Sequence, residues 1–124
     1  MTVKEYYEAI GGNYDDVMSR LPMESMVERF LQKFKEDKSF DQLTGAVQQM
    51  DCDAIFKAVH TLKGVALNLG LARVSEASKH LTELVRGKEE KGDAVPAELQ
   101  EEVKKAYETL AEDYRVTVEK LAEL

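Results

Sequence analysis

Apolar side chains recur along the 124-residue chain at three- and four-residue spacing, and no stretch alternates apolar and polar residues in the manner of a half-buried strand. That period belongs to the α-helix, so the expected class is all-α. The breaks in the pattern divide it. Two short helical pieces, roughly 3–10 and 13–20, are separated by Gly11-Gly12 and stopped by Pro22. A helix from about Met23 to Glu36 puts Met23, Met26, Val27, Phe30 and Phe34 on one face as a core stripe. Another runs from about Phe40 to Met50 with Leu43 and Val47 inward. Asp51 is placed to cap a helix that begins near Asp53, passes through His60 and stops near Asn68, where Gly70 supplies the C-terminal signal. Its partner spans about Ala72 to Arg86. The charged, glycine-bounded stretch GKEEKGD, residues 87–93, reads as an exposed loop. Pro96 then opens a long helix to the C-terminus with Leu99, Val103, Ala106, Leu110, Tyr114, Thr117 and Leu121 at core spacing.

Short connections force neighbouring helices to be antiparallel, so the expected architecture is an up-down four-helix bundle with a short N-terminal helical extension. Residues 1–22 form the cap and residues 23–124 the bundle, within a single domain overall. Hydrophobic residues make up 44% of the chain, enough for one core at this length. A net charge of −7 argues against a nucleic-acid or anionic-membrane partner, because phosphate would be repelled over most of the surface. The start MTVKEYYEAI lacks the basic and apolar regions of a signal peptide, and no apolar run reaches membrane-spanning length, which leads us to expect a cytoplasmic protein. Cys52 is the only cysteine, so no internal disulfide or cysteine-based zinc site is expected; it reads as a small apolar residue near a helix start.

A bundle alone does not name a function. The informative stretch is AVHTLKGVALNLGL, residues 58–71. With Ile55, Val59, Leu62, Ala66 and Leu69 defining the inward direction at about 100° per residue, His60 falls about 130° away, Gly64 about 180° and Lys63 about 80°. His60 should therefore face solvent. Glycine in an exposed helix interior costs about 1 kcal/mol relative to alanine, which calls for a reason such as close approach by a partner. Gly64 clears space one turn after His60, and Lys63 brings an ammonium within a turn of the same ring. Phe56 and Leu67 lie on the same side, either as filling against a neighbouring helix or as an apolar rim around the histidine. His80 points to the far side of its own helix and reads as surface, so a shared metal site with His60 is not expected. Glu89-Glu90 and Glu101-Glu102 read as solvated faces.

His60, Lys63, Gly64, Asn68, Leu69 and Gly70 fit the pattern H-x-x-K-G-x-x-x-N-L-G, and the chain resembles histidine phosphotransfer domains there and through ARVSEASKHLTELVRG, residues 72–87. The resemblance implies a phosphocarrier, not an autonomous enzyme. His60 would accept a phosphoryl group through Nε2 from a receiver-domain aspartyl phosphate or from a sensor or hybrid histidine kinase, and pass it to a receiver aspartate. Histidine suits the task because its ordinary ionisation lies closest to physiological pH. Lys63 would hold the phosphoryl oxygens and Gly64 would give the receiver room. No cofactor or metal is expected on this chain, since Mg²⁺ and its acidic ligands would come from the receiver. Such a carrier could act as a monomer. The family often places on the following helix a glutamine that hydrogen-bonds the histidine; the corresponding residue here is Thr82, which a fold-back about residues 69–71 brings level with His60, at the edge of the Leu71, Val74, Leu81, Val85 stripe. The alternative function is a helical module that binds receivers or kinases without carrying phosphate. The phosphoacceptor region of a chemotaxis-type kinase is disfavoured, because no nucleotide-binding glycine-rich loop is present.

Overall fold

The computed structural model describes residues 1–88 and 94–124. The expected loop at 87–93 falls largely outside the described residues, and Glu89-Glu90 fall there entirely. The described residues form seven α-helices: α1 (Val3–Ile10), α2 (Tyr14–Arg20), α3 (Glu24–Phe34), α4 (Ser39–Gln49), α5 (Cys52–Asn68), α6 (Ala72–Val85) and α7 (Ala97–Lys120). A 3-10 turn, Leu121–Glu123, ends the long last helix before the C-terminus. The described residues contain no strand, only an isolated bridge between Asp51 and Ala94.

The all-α class expected from the sequence is observed, and the four-helix bundle is made of α4 to α7; α3, expected within a bundle spanning residues 23–124, instead packs on α1 and α2. Helix α5 packs against α4 and α6, α6 packs against α7, and α4 closes on α7. The closing seam is aromatic: Phe40 stacks on Tyr114 at 4.1 Å and on Tyr107 at 5.8 Å between centroids, and the Thr44 and Tyr107 hydroxyls are 2.7 Å apart. At the other end of α4, the Val95 N–H donates to the Met50 carbonyl at 2.7 Å. As α4 advances from Phe40 to Met50 its partner retreats from Tyr114 to Val95, so the two helices run antiparallel. Leu43, Ile55, Leu62, Leu71, Leu81 and Leu110 are fully buried between the four helices, and each such side chain contributes about 1.5–3 kcal/mol relative to exposure.

Helices α1 to α3 cover one end of the bundle. The first turn of α1 is fixed by a capping box, in which Glu5 N–H donates to Thr2 Oγ1 at 3.0 Å and Thr2 N–H donates to Glu5 Oε1 at 2.9 Å. Tyr6 and Tyr7 then enter the core edge to face, their ring centroids 5.6 Å apart, and spend their hydroxyls on distant carbonyls: Tyr6 on Thr117 and Tyr7 on Leu69, both at 2.6 Å. The expected core stripe of α3 needs correcting. Val27, Leu31 and Phe34 are buried, whereas Met23 is 58% and Phe30 39% exposed. Helix α3 lies on α1 and α2 and touches α7 through Phe34 against Tyr114, so it meets only a narrow arc of neighbours. Phe30 is left at the rim.

Candidate functional site

The site is built on α5. Asp51 accepts the Ala54 N–H at 3.1 Å and starts the helix, and Ile55, Val59, Leu62 and Ala66 fix its azimuth by filling the core. The C-terminal end is held from three directions. Gly70 adopts φ +66°, and Leu71 N–H reaches back to the Ala66 carbonyl at 2.9 Å in a Schellman-type stop. Asn13 N–H donates to the Gly70 carbonyl at 2.8 Å, and a Cβ on Gly70 would stand 2.6 Å from the Asn13 carbonyl oxygen, so glycine is required there twice over. Arg20, clasped by Asp16 in a two-point ion pair at 2.7 and 2.9 Å, donates to the Leu67 and Asn68 carbonyls at 2.8–3.2 Å. That guanidinium satisfies the orphan carbonyls at the negative end of the α5 dipole.

With azimuth and ends fixed, α5 presents His60 and Gly64 to solvent, and Lys63 is half-buried beside them. A Cβ added to Gly64 would meet nothing within 4 Å, so the missing side chain leaves open space that no internal packing demands. Neither His60 nor Lys63 makes a side-chain hydrogen bond or ion pair with any described residue. The neighbouring lysine differs: Lys57 is paired with Asp53 at 2.9 Å, which holds its ammonium above the usual lysine range. Lys63 is thus the cation left available next to the imidazole. Phe56, half-buried, stacks on His60 with ring centroids 5.8 Å apart and planes 8° from parallel. Leu67, 53% exposed, continues the apolar rim two turns on.

The amino-acid sequence matches the family model of the Hpt domain over residues 25–113. The chain belongs to the Hpt domain family. No curated protein and no solved structure shows a significant match. Hpt domains are phosphocarriers that serve histidine phosphotransfer in phosphorelays and interact with receiver and kinase domains. The matched span contains α4, α5 and α6 whole and most of α3 and α7, so the Hpt fold and the outward histidine come from the same segment.

The structure of this Hpt domain does not bring Thr82 to the surface with His60, Lys63 and Gly64. Thr82 is fully buried, and its hydroxyl donates to the Ser78 carbonyl one turn back at 2.8 Å. Helix α6 packs on both α5 and α7, which widens its buried arc to Val74, Ser75, Ser78, Leu81, Thr82 and Val85 and draws an edge position inside. His80 is exposed and lines a groove of about 600 Å³ between α6 and α7 with Arg73, Glu76, Lys105 and Asp113; His60 takes no part in it. Two features escaped the sequence reading. Arg20 holds the end of the helix that bears His60, and its spacing of four from Asp16, just before Pro22, was the available signal. Phe30 borders a second groove, about 380 Å³, formed with Leu21, Phe34, Val65 and Leu69 and edged by Arg20 and Lys33. Leu31 in α3 was its signal: with Val27, Leu31 and Phe34 as the inward direction, Phe30 falls about 70° away, at the edge of the stripe.

Proposed function

We propose that His60 is the phosphoacceptor of a relay, taking a phosphoryl group from a receiver aspartyl phosphate or a histidine kinase and delivering it to a receiver aspartate. The observation that carries this reading is the exposed imidazole with an available ammonium and an empty Cβ position within one turn on the same face. In the forward step the Nε2 lone pair forms the N–P bond while the acyl-phosphate P–O bond breaks and its electron pair leaves with the aspartate carboxylate. The proton on Nδ1 stays with the ring and is afterwards released to water. Lys63 neutralises the phosphoryl oxygens during that exchange, which is mainly a matter of position and charge. Mg²⁺ and its carboxylate ligands belong to the receiver. Phe56 and Leu67 form the rim on which the receiver sits. Among the described residues no helix is long and apolar enough to cross a membrane; a cytoplasmic monomer is the form we propose.

One observation favours the second reading, a receiver- or kinase-binding module that carries no phosphate. Thr82 stands where the family often has a glutamine, and it is turned into α6. Incubation with a phosphorylated receiver and Mg²⁺ separates the two. The relay reading expects acid-labile, alkali-stable label on the wild type and none on His60→Gln. Receiver binding without label on the wild type establishes the module instead.

A further inference from the structure

We infer that Phe56 is a positioning residue for His60: its ring face holds the plane of the imidazole for in-line attack, in place of a hydrogen bond from the following helix. The inference rests on His60 being the phosphoacceptor. The nucleophilic lone pair of Nε2 lies in the imidazole plane, so the orientation of that plane decides whether the lone pair meets phosphorus opposite the leaving oxygen. A side-chain hydrogen bond to Nδ1 would set that orientation, but the described residues supply none. Thr82 gives its hydroxyl to the Ser78 carbonyl, and the buried Ser78 hydroxyl finds no partner among the described residues, His60 included. What touches the imidazole is Phe56. Planes 8° apart and centroids 5.8 Å apart describe an offset stack within the preferred aromatic range.

The stack is suited to transmit rigidity. Phe56 is one turn before His60 on the same helix, and its half-buried ring packs against the core cluster, so an anchored face supports an exposed one. The exposed imidazole therefore loses rotation about its last torsion without losing access to solvent at either nitrogen. A stack fixes the plane alone, and the Nδ1 proton is left to water. Phe56 then has a role separable from docking, because a flat ring and an apolar bulge of similar size differ in the first and resemble each other in the second.

Phosphoramidate tests this without a docking partner: its P–N bond breaks and ammonia leaves as the Nε2–P bond forms. Phe56→Leu, which keeps apolar bulk and removes the flat face, should lower the labelling rate roughly three- to tenfold, the span expected of one aromatic pair. The same factor should appear in transfer from a saturating phosphorylated receiver, with the half-saturating receiver concentration unchanged. Phe56→Tyr, which keeps the face, should restore both. In the unphosphorylated protein, the His60 ring-proton signals should carry a ring-current displacement that Phe56→Leu abolishes and Phe56→Tyr retains. Wild-type labelling rates in Phe56→Leu, or a change confined to the half-saturating receiver concentration, would overturn the inference and leave Phe56 as docking surface only. A wild type that takes label from neither donor overturns the phosphoacceptor reading, and this inference with it.

Discussion

At the scale of single residues, function and stability pull in opposite directions at Gly64. A methyl group there meets nothing within 4 Å, so Gly64→Ala should gain the helix-propensity difference of about 1 kcal/mol, measurable by urea unfolding. The same methyl enters the space beside His60 and should slow transfer from a receiver. Gly45 on α4 is an internal control, since an added Cβ there also meets nothing. Gly45→Ala should stabilise by a similar amount and leave transfer unchanged; equal transfer rates in the two variants would show that the open space beside His60 has no role. Lys63 tests charge in the same way. Removing its ammonium in Lys63→Ala should cost transfer roughly tenfold with little change in stability, because a half-buried cation with no described ion-pair partner contributes little to folding.

At the scale of elements, the end of α5 is the place to perturb. Arg20→Ala removes the donors to the Leu67 and Asn68 carbonyls and should destabilise by about 1 kcal/mol, the usual worth of charge-assisted capping at a helix C-terminus. The Arg20 guanidinium holds the Asp16 carboxyl below its ordinary range. A lowered carboxylate pKa adds stability that is present above the unfolded value and lost as pH falls through the folded one, so the gap between Arg20 and its variant should narrow slightly in strongly acidic solution, while the part due to the Leu67 and Asn68 carbonyls persists. The solvent-exposed pair itself accounts for only a small part of the difference. Tyr7→Phe leaves the Leu69 carbonyl without its 2.6 Å donor and should cost about 1–2 kcal/mol by thermal unfolding. The elements themselves were legible because their ends are marked by local chemistry: Gly11, Asp51 and Gly70 stop or start helices through backbone geometry that acts within a turn. What each helix buries was less legible. A helical wheel gives azimuth, but the width of the buried arc depends on how many neighbours pack against it. Helix α3 meets few and leaves Phe30 out, while α6 lies between α5 and α7 and takes Thr82 in. His60 was readable because it stands far from the edge of its stripe, where such differences do not reach.

At the scale of the whole molecule, the neighbouring bundle helices α4 and α6 hold α5 by its core face while the N-terminal helices hold its end, so the outward face carries almost no structural duty. That separation lets an Hpt domain expose a histidine, a glycine and a lysine without weakening the core. On a molecule of net charge −7, Lys63 keeps a cation without a described ion-pair partner beside His60, suited to an acidic partner surface. The most direct test of the central claim is to phosphorylate the full chain with a phosphorylated receiver and Mg²⁺ and locate the phosphoryl group by ³¹P NMR and peptide mapping. The account predicts a single N–P linkage at His60, lost in His60→Gln and still formed in His80→Gln. A phosphoryl group at His80 or on an oxygen side chain, or none on the wild type, would contradict it.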